Sequence, residues 1–295
     1  MKDYTKFLKQ KNLKYYGGTS GSKKAIVLED GTLWMMKFSS PRNAKNFGMH
    51  YPNSAISEYV CCHIYNMLNI RAQDTKLGTV FDDNKEKTVV LCRDIEEQYN
   101  SRLYSFAEVK NENTGSSSNG MGTKLVDILE TIRHQDAISP EVMENFFWKM
   151  LVTDTLIGNF DRRNDNWGIL VGATGASIAP VYDCGSSLFN DTRIEIGGNS
   201  EGKINDRIFK STKSAIRDEE GNKYSYEDII GLDYPGLKEA IREMKPLIDK
   251  KLPDIFNMID KMELISKKRK TFYKNMLTMR KEKLIDAAYR NHFAR

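Results

Sequence analysis

The chain has 295 residues, 40% of them hydrophobic and 10% aromatic, which suits a folded protein with a substantial core and excludes a disordered one. Its 45 Lys and Arg against 40 Asp and Glu leave a net charge of +5, too mild to choose among nucleotides, nucleic acid and acidic proteins as partners. The N-terminal stretch is charged throughout, unlike a signal peptide, and no uncharged apolar run reaches the ~18 residues that a membrane span requires. The expected location is cytoplasmic, or outside the cell by a route that uses no classical signal.

In chain order, Tyr16-Gly17-Gly18-Thr19-Ser20-Gly21-Ser22-Lys23 is a Gly/Ser loop placed just before a strand. Backbone amides of such a loop can cradle phosphate, although it matches neither G-x-G-x-x-G nor a Walker A pattern. Residues 25–28 and 32–38 read as strands around the turn Glu29-Asp30-Gly31. A helix follows over 54–68, where Ile56, Val60, Ile64, Met67 and Leu68 recur at helical spacing. It carries Cys61 and Cys62. With Cys92 and Cys184 these are the chain's four cysteines, and no pair has C-x-x-C spacing, so neither a disulfide framework nor zinc is expected. His63 reads as a helix-face residue, not a ligand. Strands at 76–81 and 87–92 flank Asp82-Asp83-Asn84.

Residues 110–123 are polar and rich in Gly and Ser, and read as a loop. A helix is expected at 124–133. A second opens at Ser139-Pro140-Glu141 with an N-cap, a first-turn proline and an acid, and closes at Gly158. Met143, Phe146, Phe147, Met150 and Leu151 make it almost wholly apolar, so it should be central and buried. A polar loop over 159–166, a strand at 167–171, a Gly-rich turn and a strand at 178–182 come next. The last third is helical and charged. Its basic stretch, Lys267-Lys268-Arg269-Lys270 with Lys274, Arg280, Lys281 and Lys283, reads as a solvated helix face, and direct nucleic-acid binding is not expected. The fold class is α+β: a bilobal, protein-kinase-like chain with a small β-rich N-lobe (1–95) holding one helix and a larger helical C-lobe (96–295).

The chemistry concentrates in Asp161-Arg162-Arg163-Asn164-Asp165-Asn166, followed 17 residues after Asn166 by Asp183-Cys184-Gly185. Phosphoryl transfer needs an oriented hydroxyl, metal ions on the phosphates, and positive charge where oxygen charge develops. At this spacing Asp161 is placed to orient the acceptor hydroxyl. Asn166 and Asp183 can hold Mg²⁺, which prefers carboxylate, carbonyl and phosphate oxygen. Lys37, on an apolar strand, needs an anion for its ammonium. Glu58 on the next helix can orient it, the pair gripping nucleotide phosphates. Adenine is expected at the connector, against the backbone of Leu91, Cys92 and Arg93, with Gly17, Gly18, Ser20, Gly21 and Ser22 over the phosphates.

At these residues the sequence resembles the HipA-like serine/threonine kinases, closest to their short, cell-translocating type. The carrying segments are Leu33-Trp34-Met35-Met36-Lys37-Phe38, Ser57-Glu58-Tyr59-Val60, Gly158-Asn159-Phe160-Asp161-Arg162, Asn166-Trp167-Gly168 and Pro180-Val181-Tyr182-Asp183-Cys184-Gly185. The resemblance implies a protein kinase that uses ATP and Mg²⁺ on Ser or Thr of a protein substrate. It places the base at Asp161, metal ligands at Asn166 and Asp183 and the nucleotide lysine at Lys37. It also implies self-phosphorylation in or near the Gly/Ser loop, at Ser20, Ser22 or Thr19. Arg163 departs from the His that many relatives carry there, and the extra N-terminal subdomain of the longer forms is missing, so a DNA-bound antitoxin complex is not implied. Two other readings stay open: a lipid or small-molecule kinase, since phosphoinositide kinases have a similar D-R-x-N-x-N and D-x-G pair, and a catalytically dead binding module.

Overall fold

A computed structural model describes residues 2–16, 23–39, 53–115, 119–190 and 201–293. The small lobe is a four-stranded antiparallel sheet of order β1-β2-β4-β3. β1 (Lys23–Val27) and β2 (Leu33–Phe38) meet at Gly31, whose φ of 79° is the left-handed conformation that the tight turn requires. β3 (Thr75–Asp82) and β4 (Lys85–Arg93) meet at Asp83 and Asn84, with φ of 50° and 58°, where short polar side chains tolerate the left-handed region. Between the two hairpins runs α1 (Ser54–Met67). Ala55 packs under Val90 and Cys92, while Ile56, Val60, Cys61 and Ile64 join the core of the larger lobe. The helix is thus shared by both lobes and places Glu58 between them. Tyr4, Phe7, Trp34, Met36 and Val89 form a second core on the other face of the sheet. The N-terminal segment reaches it by crossing β3 at Gly78, where a Cβ would lie 2.3 Å from the Lys2 carbonyl.

After the sheet come α2 (Ile95–Tyr99), β5 (Arg102–Ser105) and α3 (Phe106–Thr114). α3 runs through Thr114 and so corrects the first five residues, 110–114, of the loop expected at 110–123. Ser105 and Glu108 form a reciprocal capping box, enough to start a helix whose interior composition is polar. α4 (Leu125–His134) leads to α5 (Pro140–Ile157), the expected buried central helix, which ends at Gly158 in the left-handed conformation with φ 65°. β6 (Gly168–Gly172) and β7 (Gly175–Ile178) add to β5 as a three-stranded sheet. The strand expected at 178–182 stops at Ile178. Beyond it Val181 bonds outside that sheet, donating to Arg71 O and accepting from Gln73 N–H, both at 2.8 Å.

The rest is α6 (Glu201–Asp206), a π-helical turn (Arg207–Ser211), the hairpin of β8 (Lys213–Arg217) and β9 (Lys223–Ser225), α7 (Tyr226–Ile230), α8 (Pro235–Lys261), α9 (Lys267–Arg280), a second π-helical turn (Lys281–Ile285) and α10 (Asp286–Phe293). The basic stretch is not simply a solvated face: Arg269 and Arg280 are buried among Phe272, Tyr273, Met276 and Leu277. No described helix is long and apolar enough to cross a membrane.

Trp167 joins the sheet of the larger lobe to its helices. Its ring stacks on Phe106 with centroids 4.0 Å apart and packs against Phe147 at 5.7 Å. Trp167→Ala should lower stability by about 3–5 kcal/mol, measured by denaturant unfolding, because it would leave a large cavity between α3 and α5 that these packed helices can only partly fill.

Candidate active site

The loop that follows α5 is built around two buried charges. Arg162 donates through Nε to Asp154 Oδ2 at 2.9 Å, and both side chains are almost fully buried. Its Nη1 donates to Asn166 O at 2.6 Å and Tyr182 O at 2.8 Å, and Nη2 to Asp154 Oδ1 at 3.3 Å. One side chain therefore joins the helix, the loop's far end and the residue before Asp183. Asp154 is also saturated: Tyr65 O–H donates to it at 2.6 Å and Asn159 Nδ2 at 3.1 Å. Asn159 in turn accepts Asp161 N–H through Oδ1 at 3.1 Å. Asn164 is buried too and donates to the Gly120 and Gly122 carbonyls at 2.7 and 2.9 Å, so its part is to hold the loop.

Asp161 stands at the mouth of this loop. Burial raises its carboxyl pKa above the usual range, and Arg163 opposes that shift. Arg163 spans two acids, with Nε 3.1 Å from Asp161 and Nη2 3.2 Å from Asp165. Asn166 Nδ2 donates to Asp161 O at 2.6 Å, which turns the amide and leaves its Oδ1 as an acceptor.

On the small-lobe side, Lys37 Nζ lies 3.4 Å from Glu58 Oε2 and 3.1 Å from Asp183 Oδ1. The two acids hold the Lys37 ammonium charged against the opposing effect of burial. The Lys37 charge holds the Asp183 carboxyl below the usual carboxylate range. Asp183 has a φ of 57°, a strained conformation for a residue with a Cβ, and such strain gathers at functional sites. Gly185 passes close to α1, since a Cβ there would sit 3.1 Å from Glu58 Oε2 and 3.3 Å from Ser54 O. Asp183 and Asn166 offer one carboxylate and one amide oxygen, a donor set that would suit Mg²⁺. The Lys37 ammonium already rests on Asp183. No group of three or more His, Cys, Asp and Glu among the described residues could hold a metal.

The connector is part of the small-lobe sheet. Leu91, Cys92 and Arg93 lie on β4, which is paired on both sides, to β2 and to β3. Arg93 N–H donates to Asp74 O and Asp94 N–H to Leu33 O, so these backbone groups are already engaged. The physical reason is that the strand runs on to the last residue before the turn. Asp94 instead anchors the residues ahead of the Gly/Ser loop: Tyr16 O–H and Lys14 Nζ donate to its Oδ2 at 2.9 and 2.8 Å. Gly17, Gly18, Thr19, Ser20, Gly21 and Ser22 lie outside the described residues. Sequence reasoning missed Asp154, Tyr65, Asn159 and Tyr16. Asp154 carried a signal, since an acid inside the apolar run Met150-Leu151-Val152-Thr153-Asp154-Thr155-Leu156-Ile157 demands a buried cation.

The family model of the HipA-like C-terminal domain matches residues 15–252. The chain belongs to the HipA-like family. It is 36% identical over 283 residues, 94% of this chain and 84% of the other, to the serine/threonine-protein kinase CtkA of Helicobacter pylori. The crystal structure of a proinflammatory CtkA kinase of H. pylori superposes with a TM-score of 0.86 at 33% identity, covering 98% of this chain and 97% of that one. HipA of Shewanella oneidensis, solved with HipB and operator DNA, shares the fold with a TM-score of 0.57 at 11% identity, over 93% of this chain and 68% of its own. This HipA-like protein is therefore a phosphotransferase of the kinase type, with a small sheet-based lobe and a larger helical one.

Asp154→Ala in this HipA-like kinase would strand the Arg162 charge in the core. A loss of about 3–5 kcal/mol in unfolding free energy is expected, the usual result of breaking one partner of a buried ion pair. Asp154→Asn should cost less, because the amide oxygen still accepts from Tyr65 and Arg162.

Proposed function

We propose that the protein transfers the γ-phosphoryl group of Mg·ATP to a serine or threonine hydroxyl of a protein substrate. The observation that carries this reading is the convergence of Lys37, Glu58 and Asp183 from three separate elements, with Lys37 Nζ 3.4 Å from Glu58 and 3.1 Å from Asp183. Residues 1–95 would grip the nucleotide and 96–295 would carry the acceptor site. Lys37, held by Glu58, would meet the nucleotide phosphates. Asn166 and Asp183 would hold Mg²⁺, which neutralises the phosphate oxygens when bound. Asp161 would orient the acceptor hydroxyl and take its proton as the oxygen bonds to the γ-phosphorus, while the bond to the bridging oxygen breaks and ADP leaves. The base would lie where β4 passes into α2, beside Tyr16 and Asp94, with the side chains of Leu91 and Cys92 shaping the strand's end. Thr19, Ser20 and Ser22 are proposed acceptors for self-phosphorylation.

The test is transfer from labelled ATP to serine peptides and to phosphoinositides, wild type beside Asp161→Asn. Peptide transfer that falls by about 10²–10⁴-fold in the variant supports the reading. Asp183→Asn should instead weaken Mg·ATP binding. Transfer to lipid alone would make the protein a lipid kinase. Mapping phosphosites on wild type after incubation with Mg·ATP tests residues 17–24 as acceptors.

The pH profile gives a second check. Asp161 must be ionised to accept a proton, so the rate falls as pH falls through its pKa. Burial raises that pKa, which places the acidic limb above the range of an ordinary aspartate. Arg163 opposes the rise, so Arg163→Ala should move the limb to still higher pH. A limb that stays in place, or moves down, would show that the limb belongs to another group.

A further inference from the structure

Arg280, the last residue of α9, reaches the base of the catalytic loop from behind and is fully buried. Its Nε donates at 2.6 Å to Thr155 O, a carbonyl in the last turn of α5. Its guanidinium lies against Gly158, where a Cβ would sit 3.2 Å from Cζ. The same group covers the Tyr226 ring at 4.7 Å, and the Tyr226 hydroxyl donates to Asn159 O. Asn159 then holds Asp161 N–H through Oδ1 at 3.1 Å.

No carboxylate among the described residues pairs with Arg280, and neither Nη1 nor Nη2 has a hydrogen-bond partner. A buried cation with two idle donors is a poor way to fill space, and an apolar side chain of similar volume would pack at less cost. What a cation does here that methionine could not is sit at the negative end of the α5 dipole, where the loop begins. Burial lowers the Arg280 pKa to about 10, so it stays charged at neutral pH. The π-helical turn Lys281–Ile285 starts at the next residue, and such widened turns are frequent at functional sites.

We propose that Arg280 is a positioning residue: it fixes the end of α5 and the Gly158–Asn159 turn, and through Asn159 the orientation of Asp161. The C-terminal helix thereby becomes part of the catalytic apparatus without touching nucleotide or acceptor. This rests on the reading of Asp161 as the base.

The experiment compares Arg280→Met, Arg280→Lys, Arg280→Ala and Tyr226→Phe with wild type and Asp161→Asn, by steady-state kinetics and by calorimetric Mg·ATP binding. Arg280→Met should bind Mg·ATP as wild type does, with kcat reduced by up to about 100-fold, as expected for a slightly misplaced catalytic group. Arg280→Lys should lose less. Millimolar guanidinium chloride should restore part of the Arg280→Ala rate, while sodium chloride and urea should not. Wild-type kcat in folded Arg280→Met, with Asp161→Asn inactive, overturns the proposal and leaves the catalytic assignment intact. A loss that guanidinium does not restore reduces Arg280 to packing and also overturns it. If the Arg280 variants do not fold, Tyr226→Phe decides: a lower kcat at unchanged Mg·ATP affinity supports the link to Asn159, and an unchanged kcat refutes it. An active Asp161→Asn shows that the assignment of the base has failed, and the proposal falls with it.

Discussion

The contact between Arg162 and Asp154 is the constraint on which the site's geometry depends. Three pieces of backbone must meet there, the end of α5, the loop to Asn166 and the stretch into Asp183, and none belongs to a ladder that would fix it. A buried ion pair adds little net stability once desolvation is counted, because the attraction mainly offsets the cost of taking both ions out of water. Its use here is geometric. The planar guanidinium spreads its donors in fixed directions, so one side chain sets Asp154, Asn166 O and Tyr182 O relative to each other. Lysine could supply the charge but not the angles.

The second charged group follows from that frame. Once Tyr182 O is held, Asp183 is delivered to Lys37, and Gly185 lets the chain pass Glu58 closely. The Lys37 ammonium sits between two carboxylates, and Lys23 acts on the same pair of acids. On the proposed reading, a divalent cation on Asp183 would add positive charge where the nucleotide phosphates come. The strained φ of 57° at Asp183 fits the same account, since it keeps the carboxylate turned toward the lysine at the expense of local backbone energy.

The sequence made much of this legible, and the parts it hid have a common cause. Strand and helix periodicity located both hairpins, α1 and α5, and the D-x-x-x-x-N and D-x-G spacings picked out the loop and Asp183. Those signals are local in sequence. α3 was hidden because its interior is polar, and only the Ser105–Glu108 capping box, a two-residue signal, marks its start. The pairing of β4 on both sides was not legible, because it depends on where β2 and β3 end, which no single segment encodes. Arg269 and Arg280 looked solvated because a basic run on an amphipathic helix usually is. Which of its cations turn inward is decided by what lies across the interface.

What lies across it, for each buried arginine, is a backbone carbonyl, of irregular chain for Arg162 and Arg269 and of the last turn of α5 for Arg280. Arg162 donates to Asn166 and Tyr182, Arg269 to Phe189 at 2.9 Å, and Arg280 to Thr155. Phe189 and its neighbour Leu188 both have positive φ, so this stretch cannot satisfy itself as strand or helix. Buried carbonyls must be paired somewhere, and a segment that leaves regular structure in order to place a catalytic group must borrow donors from elsewhere. Arginine suits this role because it has five N–H groups on one rigid plane and no acceptor to satisfy in return. The charged C-terminal helix of this chain is then best understood as a source of such donors. Its exposed lysines keep one face wet, while Arg269 and Arg280 go inward to hold the backbone that holds the site.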